Sequence, residues 1–426
     1  MRRLRRCHAS PAVEPAKTIM ILIPRSTFLT AALSLAISIA ILLTGDPQSP
    51  TGNGVARANP VESAPNTPPN RRILYNFDGD SCFYTCAGFK HPVALTVEDV
   101  KRLIDEIAYE DSQVDTMLLC LNAATMYYPT KVGTMRGSLT PRDQRAEKWP
   151  RHEQQRVENV ERFFAQGIDP FALMFSEARQ HGLETLITFR MNDAHGNEFL
   201  RTKFWEENPA YQLPDGALDF SHKAVRDHVF ALIEEVTRRY DTDGLELDFN
   251  RFPTFFRESE PHELRIEKIN ALVKRVRELL NKLGQERGKR LVLAARIPSN
   301  YGVTPPTYET SLAIGCDPAA WARNGWVDFL VVAEFVLQRY DLPIASWKKQ
   351  ITQVPIYGSI ECAEPGGLEN RLTPAKYRRA ARHLWAEGAD GIYLFNFFTP
   401  REHGENSHEP PFEVLRDLGD RKTLQQ

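Results

Sequence analysis

The sequence lacks an excess of charge of either sign. Its 426 residues include 53 Lys and Arg against 55 Asp and Glu, so the formal net charge at pH 7 is −2. Nucleic-acid-binding domains usually carry a basic patch or stripe, and this sequence shows neither. We therefore predict no nucleic-acid partner and a ligand that is neutral or only modestly charged.

The sequence also lacks the usual signatures of cofactor and metal sites. No glycine-rich phosphate loop follows the first predicted strand, which argues against a nucleotide-binding fold of the Rossmann type. There is no HExxH motif and no cluster of His and Asp ligands. We therefore predict neither a cofactor nor a bound metal.

Cysteine is scarce, and five of the six cysteines follow residue 45: Cys82, Cys86, Cys120, Cys316 and Cys362. Cys82 and Cys86 are close enough in sequence to pair, although sequence alone does not fix the connectivity. An odd number leaves at least one thiol free, and buried free thiols are the ordinary outcome.

The N-terminal 45 residues predict a targeting segment rather than part of the fold. Basic residues precede the apolar run FLTAALSLAISIAILLTG at 28–45. A positive flank before an apolar core is typical of an export signal. The run is long for a cleaved signal and near the lower limit for a membrane span. We predict a signal peptide or a membrane anchor at 1–45 and a secreted or periplasmic protein, which 28–45 could hold at the membrane.

Residues 46–71 are rich in Pro, Ser, Asn, Gly and Thr and contain almost no large apolar side chains. Such a segment cannot bury enough surface to offset its ordering entropy, so we predict a disordered linker.

From residue 72 to about 420, short apolar segments alternate with longer helix-like ones. The predicted strands cover residues 71–80, 114–124, 184–193, 243–253, 290–299, 327–336, 353–361 and 391–400. Near-continuous apolar strands are typical of a parallel sheet buried on both faces. Eight β-α units fit a closed barrel better than an open doubly wound sheet. We predict an α/β protein with a single (β/α)8 TIM barrel over 72–420.

Two long polar stretches follow predicted strands, at 126–169 and 192–221. Both fall at the C-terminal ends of strands, where barrels build their sites, so we predict that these loops shape a pocket.

The fourth predicted strand carries acidic side chains on one face. Because successive side chains in a strand alternate, Glu246, Asp248 and Asn250 share a face, opposite Leu245 and Leu247. The polar set should face the barrel interior, where ionised carboxylates are costly unless they are paired. Acids near the C-terminal end of a strand therefore indicate function.

Hydrolysis of a glycosidic bond needs one acid to protonate the leaving oxygen and a second carboxylate opposite it. We predict Asp248 for one role and Glu334, at the end of the sixth strand, for the other. Glu361, at the end of the seventh strand, is the alternative partner. Each of the three could instead be a structural ion-pair residue. The acid of the pair should have a raised pKa.

Other side chains at or after strand ends are predicted to contact substrate. The polar members close strands or follow them, whereas the aromatic ones offer flat faces for sugar rings. They are Asp78, Tyr127, Tyr128, Arg190, Asn192, Trp205, Glu246, Asn250, Arg251, Arg296 and Asn396. Glu246 could equally be a structural partner of Arg190 or Arg296.

The segment from Asn208 to Pro253 resembles the bacterial glycoside hydrolase family 10-like proteins. The shared elements are the Asn208-Pro209 loop, the motif D-x-[ST]-[HN]-x-x-V-R at 219–226 and Y-D-x-D-G-[IL]-x-[LF]-D at 240–248. The resemblance covers residues 72 to about 419 and implies a barrel glycosidase.

The fourth strand is also similar to the DxxDxDxE signature of chitinase-type barrels, with Asn250 in place of the final acid. This departure argues against substrate-assisted cleavage of N-acetyl sugars.

The sequence thus predicts an exported glycoside hydrolase acting on a polysaccharide or glycoconjugate. A non-catalytic carbohydrate-binding barrel and a different barrel enzyme, such as a lyase or a metal-dependent hydrolase, stay open as alternatives.

Overall fold

Eight parallel strands close into a barrel in the order of the sequence. The computed structural model describes residues 71–84, 94–300, 306–335, 337–366, 370–402 and 407–425. The strands are β1 Ile73–Phe77, β2 Val114–Cys120, β3 Glu184–Arg190, β4 Gly244–Asp248, β5 Val292–Pro298, β6 Phe329–Ala333, β7 Ile356–Ile360 and β8 Ile392–Phe395. The predicted TIM barrel is confirmed, and each predicted strand contains an observed one. The predicted signal, the linker up to residue 70 and Cys86 lie outside the described residues.

Helices on the outside of the barrel follow the strands. In chain order they are α1 Val97–Asp105, α2 Arg142–Lys148, α3 Arg151–Ala165, α4 Pro170–Gln180, α5 Lys203–Glu207, α6 Lys223–Arg239, α7 His262–Arg287, α8 Glu309–Ala313, α9 Pro318–Arg323, α10 Ile344–Gln350 and α11 Pro374–Ala386. A capping box of Thr96 and Asp99 begins α1, and Gly288 at φ 66° ends α7. No helix among the described residues is both long and apolar enough to cross a membrane.

The segment at 126–169 is more ordered than the predicted polar loop. It contains α2 and α3, because α3 turns Val157, Val160 and Phe163 toward the core and its polar residues toward the barrel mouth or solvent. This helical pattern accounts for the apolar residues within a segment that is polar in composition.

The barrel has two apolar layers. Alternation along the strands sends one set of side chains into the barrel interior: Leu74, Leu118, Leu186, Ala294, Phe329, Val331, Tyr357, Tyr393 and Phe395. The other set packs outward against the helices. In β6 the outward residues are Leu330 and Val332, the face to which sequence alternation assigns Glu334. Because β6 ends at Ala333, Glu334 belongs to the following loop and strand alternation does not orient it.

Candidate active site at the barrel mouth

A cavity of about 250 Å³ opens at the C-terminal ends of the strands. We call it the mouth cavity, and its wall includes Asp78, Tyr127, Arg190, Arg251, Asn396 and Glu402. These residues follow or end β1, β2, β3, β4 and β8, so loops from most of the barrel circumference contribute to it. This is the face on which barrels of this architecture carry their active sites.

Gly79 allows the floor of the mouth cavity to form. Its φ is +66°, and a Cβ there would lie 2.1 Å from Cε2 of Tyr127. The Tyr127 ring therefore packs directly over the short 3-10 helix Gly79–Phe83, which also positions Asp80. A residue with a side chain at position 79 would displace the ring.

A second cavity of about 190 Å³ adjoins the first. We call it the side cavity, and it lies between the loop after β3 and helix α6, with Asn192, Trp205, His228 and Leu232 in its wall. The two cavities share Ala123, Arg190, His195 and Leu200. Together they offer a polar compartment and a more apolar one joined at His195.

Arg190 organises one side of the mouth. It ends β3, and its guanidinium binds Asp78 and, at 3.2 Å, Asp193 Oδ2. Asp193 in turn accepts from His195, with Nδ1 to Oδ1 at 2.7 Å. Burial raises the pKa of Asp193, but His195 and Arg190 outweigh it and hold the pKa well below its usual range.

Arg136 and Arg156 organise the opposite side. Arg136 binds the carboxylates of Asp80 and Glu153. Arg156, on α3 with Glu153, lies 3.4 Å from both Glu153 Oε1 and Glu402 Oε2. Burial raises the pKa of Glu153, but the hydrogen bond from His152 and the guanidinium groups of Arg136 and Arg156 outweigh it, and the pKa falls to about 2.

Asp78 and Glu402 occupy the same cavity but differ in protonation. Burial raises the pKa of Asp78, yet Arg190, Arg251 and His195 outweigh it and lower the pKa below 3.8. Burial raises the pKa of Glu402 to about 7, and the Asp78 carboxylate adds to the effect while Arg156 opposes it. Oε1 of Glu402 is buried and accepts no hydrogen bond from the described residues. Near neutral pH one group is ionised and the other is available as a proton donor.

Asp248, which the sequence predicts as catalytic, points into the barrel but lies below the mouth cavity. Its side chain is 1% exposed, and Nη1 of Arg296 lies 3.4 Å from its Oδ2. Nη2 of Arg296 donates to Glu361 Oε1 at 2.6 Å, so the guanidinium joins both carboxylates. The Arg296 guanidinium also stacks on Phe395, 3.9 Å from the ring centroid. We call Asp248, Arg296 and Glu361 the buried triad. None of the three lines the mouth cavity.

Glu334 is closed off as well. Its Oε2 accepts from the backbone N–H of Arg339 at 2.6 Å, and its side chain is fully buried. Burial, aided by the Asp341 carboxyl, raises the pKa of Glu334 to about 9. The raised pKa predicted for an acid is therefore present in Glu334, although this residue does not reach the cavity.

Glu246 lies one layer deeper, where the sequence offered Arg190 or Arg296 as its partner. Its Oε1 instead accepts from Thr188 Oγ1 and Tyr393 Oη, each at 2.9 Å. Burial, with a contribution from Asp248, raises the pKa of Glu246 to about 7.

The residues predicted to contact substrate divide into three groups. Those that line the mouth cavity are Asp78, Tyr127, Arg190, Arg251 and Asn396, and those that line the side cavity include Asn192 and Trp205. Asn192 uses its amide to hold the loops, donating to the carbonyls of Leu218 and Thr254. The others lie elsewhere: Tyr128, Glu246, Asn250 and Arg296.

Tyr128 points away from the mouth because the chain turns outward after Tyr127. Its hydroxyl donates to Glu235 of α6 at 3.3 Å, and its ring packs against Tyr240. Asn250 donates to the backbone carbonyl of Glu334 at 2.9 Å and is 1% exposed. Both side chains therefore act within the fold rather than in the cavity.

Sequence reasoning did not select several ionisable residues of the mouth cavity: Asp80, Arg136, Glu153, Arg156, Arg371 and Glu402. Asp80 was visible as a polar residue ending the first predicted strand. The others lie in loops, in the short 3-10 helix Thr399–Glu402 or on α3. Strand alternation does not apply there, so it could not predict which way these side chains point.

Within the part of the chain that the structure describes, one group of side chains brings three ligand atoms together closely enough for a metal: Asp105, Glu177 and His181. It lies at the C-terminal ends of α1 and α4, on the barrel face opposite the mouth. None of its residues lines the mouth cavity.

Comparison with known proteins agrees with the fold. No family model matches the sequence, and no curated protein matches it. The structure is similar to the glycoside hydrolase domain of PgaB (BpsB) from Bordetella bronchiseptica, with a TM-score of 0.52 and 14% identity over 83% of this chain and 99% of that domain. It also matches alpha-L-fucosidase isoenzyme 2 from Paenibacillus thiaminolyticus at a TM-score of 0.48 and 13% identity, over 82% of this chain and 48% of the fucosidase. At 14% identity, the likeness to the PgaB domain shows a shared barrel fold, and activity has to be argued from the site.

Proposed function

We propose that this chain is a glycoside hydrolase of the family 10-like kind that acts on a polysaccharide or glycoconjugate. The barrel, shared with the PgaB glycoside hydrolase domain, supports this proposal at the level of fold. The observation that carries it is the pairing of Asp78 and Glu402 in one cavity with pKa values shifted in opposite directions. Two carboxyl groups in opposite protonation states are what hydrolysis of a glycosidic bond requires.

Glu402 is assigned the role of general acid. Its proton passes to the glycosidic oxygen as the bond to the anomeric carbon breaks, so the leaving sugar departs as a neutral alcohol. Asp78 faces the positive charge that develops on the ring. It acts either as the nucleophile or as the base that activates water, and product stereochemistry distinguishes the two.

Aromatic side chains give the cavities surfaces on which sugars stack. Tyr127 lines the mouth cavity and Trp205 the side cavity, where Trp205 Nε1 donates to the Gly216 carbonyl at 2.8 Å and is held in place. Sugar rings present flat C–H faces to such groups. The side cavity therefore suits the leaving part of a longer glycan.

Asp248 with Glu334 or Glu361 is the competing catalytic set. In this set the buried triad would have to open before substrate could reach Asp248, since Asp248 is buried and ion-paired to Arg296. The cavity acids need no such opening, and we place them first.

The test is a panel of polysaccharides assayed for new reducing ends with wild type, Glu402→Gln, Asp78→Asn and Asp248→Asn. We expect Glu402→Gln and Asp78→Asn each to lose about 100-fold or more of kcat, the range typical of a positioned acid or base. The exposed Glu413 provides the matched control, and Glu413→Gln should retain wild-type turnover. An aryl glycoside with an acidic phenol needs little protonation, so on that substrate Glu402→Gln should lose far less activity.

The outcomes separate the assignments. Full activity of Glu402→Gln combined with loss in Asp248→Asn would move catalysis to the buried set. Glycan binding without turnover by any variant, wild type included, would identify a binding barrel instead of an enzyme.

We further propose that the protein acts outside the cytoplasm. This rests on the basic flank and apolar run at 28–45. Fractionation of cells that express the full chain tests it, and recovery of all the protein in the cytosol would contradict it.

A further inference from the structure

The mouth cavity carries more guanidinium groups than carboxylates. Its wall holds five arginines, Arg136, Arg156, Arg190, Arg251 and Arg371, and four acids, Asp78, Asp80, Glu153 and Glu402. Arginine stays charged in proteins. Asp193, which binds Arg190 from the adjoining side cavity, makes the charges equal, and protonation of Glu402 leaves one positive charge in excess. The chain as a whole has a formal charge of −2, so this excess is local.

Arg251 is the guanidinium that differs from its neighbours. Arg136, Arg156 and Arg190 each bind two carboxylates. Among the described residues, no carboxylate lies within 4.0 Å of Arg251, and its polar side-chain contact is His195 Nε2 at 3.3 Å. Its Nε donates no hydrogen bond there, as is also true of Arg136, Arg156 and Arg190. The carboxylates of Asp78 and Asp193 act on Arg251 from beyond 4.0 Å. Its guanidinium therefore keeps donors for a ligand, and an anion bound beside it would be favoured.

The surroundings hold Arg251 in this position. Its guanidinium lies 5.3 Å from the centroid of the Phe252 ring, and the His195 ring packs edge-on against the same ring at 4.6 Å. Asp193 fixes His195 from the other side through Nδ1. Phe252 has φ +48°, a region that a bulky residue adopts only at a cost in energy. Such strain at the edge of a cavity is typical of a functional segment.

We propose that Arg251, which His195 holds in position, binds an anionic substituent on the substrate, so that the substrate is an acidic glycan whose sugars carry carboxylate or sulfate groups. A guanidinium binds either group through two parallel N–H donors, which a neutral hydroxyl cannot match. The inference rests on the proposed glycoside hydrolase function and names its substrate class. It also revises the sequence-based expectation of a neutral or modestly charged ligand, because that expectation came from the charge of the whole chain.

The test measures binding separately from turnover. Full-length Glu402→Gln, which keeps Arg251 and is slow to cleave, is titrated calorimetrically with three oligosaccharides of equal length: an oligogalacturonate, a sulfated galactan fragment and a neutral galactan fragment. We expect one or both acidic oligosaccharides to bind at least 10-fold more tightly than the neutral one. Adding Arg251→Gln should weaken acidic binding by about 30-fold or more and leave neutral binding unchanged. The uronate and sulfate arms show which anion the site takes.

Arg142 provides the matched control, since its side chain is 75% exposed on α2, outside both cavities. Arg142→Gln in the same background should bind all three oligosaccharides as its parent does. If Arg251→Gln does not fold, competition replaces it. Sodium sulfate should then displace the acidic oligosaccharide more strongly than sodium chloride at equal ionic strength.

Failure of this inference and failure of the proposed function give different results. Arg251-dependent binding of acidic glycans that wild type does not cleave would keep the anion site and remove the hydrolase. Cleavage of neutral glycans with no effect of Arg251→Gln would keep the hydrolase and overturn the anion site. Equal binding of acidic and neutral oligosaccharides would also overturn it.

Discussion

At the scale of single residues, Asp78 and Glu402 share a cavity, yet the pKa of Asp78 is lowered and that of Glu402 is raised. Arg190 donates a hydrogen bond to Asp78, which stabilises the carboxylate. Glu402 has Arg156 at 3.4 Å, which it shares with Glu153, and Arg371 acts on it from further away. Distribution of the arginines, rather than depth of burial, therefore decides which acid keeps its proton.

This difference predicts a bell-shaped pH dependence of kcat/KM. Turnover requires Glu402 protonated and Asp78 ionised. Activity should fall as pH rises through about 7, the pKa of Glu402, and should fall again only at acid pH below 3.8, where Asp78 takes up a proton. The measurement is kcat/KM on one glycan between about pH 2.5 and pH 9, so that both limbs are covered.

The Glu402→Gln variant provides the check on this profile, because glutamine does not titrate. Its residual activity should show no decline through pH 7. A wild-type profile that is flat from pH 5 to pH 9 would exclude Glu402 as the acid, and the same decline in Glu402→Gln would assign it to another group.

At the scale of secondary-structure elements, the buried triad joins three strands. Asp248 ends β4, Arg296 lies in the neighbouring strand β5 and Glu361 follows β7, so the Arg296–Glu361 ion pair crosses the barrel interior between strands that are not neighbours. Such an arrangement fixes the upper layer of the barrel beneath the mouth cavity. Removing one member of a buried ion pair leaves the others without compensation.

We predict that Arg296→Met lowers the free energy of unfolding by about 3 kcal/mol or more, because Asp248 and Glu361 stay buried without their counterion. Urea unfolding at pH 7 measures the change. The double variant Arg296→Met/Glu361→Gln should be less destabilised than Arg296→Met alone, since one uncompensated carboxylate is removed. Arg142→Met, on the exposed face of α2, should change the free energy by about 1 kcal/mol or less. Equal stability of Arg296→Met and wild type would contradict a stabilising role for the triad.

Periodicity explains how far the sequence predicts these elements. Apolar runs located all eight strands, and alternation in β4 correctly turned Glu246 and Asp248 inward. Alternation does not show how deep a side chain lies, however, and it could not show that Asp248 is buried in an ion pair with Arg296. Glu402 lies in the short 3-10 helix Thr399–Glu402, where neither the strand nor the helix period applies. Its proximity to Asp78 arises only from closure of β8 against β1.

At the scale of the whole molecule, charge is balanced in number but not in placement. Several acids have a raised pKa through burial, among them Glu246, Glu334, Glu361 and Glu402. The carboxylates at the mouth that keep a low pKa do so because histidine or guanidinium groups reach them: His195 and Arg190 for Asp193, His152 and Arg136 for Glu153, and Arg190 for Asp78. The buried acids with a raised pKa therefore keep their protons to a higher pH in the folded protein than in the unfolded chain, and the stability of the fold is linked to pH.

Glu334 gives the clearest case of this linkage. The unfolded chain releases the Glu334 proton near 4.5, whereas the folded protein keeps it to about 9. Between these values the folded state binds more protons, so stability is greatest below pH 4.5 for this group and is lost as pH rises toward 9.

We predict that the free energy of unfolding of wild type falls between pH 5.5 and pH 8, and that Glu334→Gln removes about 1.4 kcal/mol per pH unit from that slope. Urea unfolding at four pH values measures both slopes, with Glu413→Gln as the exposed control expected to match wild type. Parallel slopes for Glu334→Gln and wild type would mean that Glu334 is ionised in the folded protein, and the buried neutral acid inferred at the end of β6 would then be wrong.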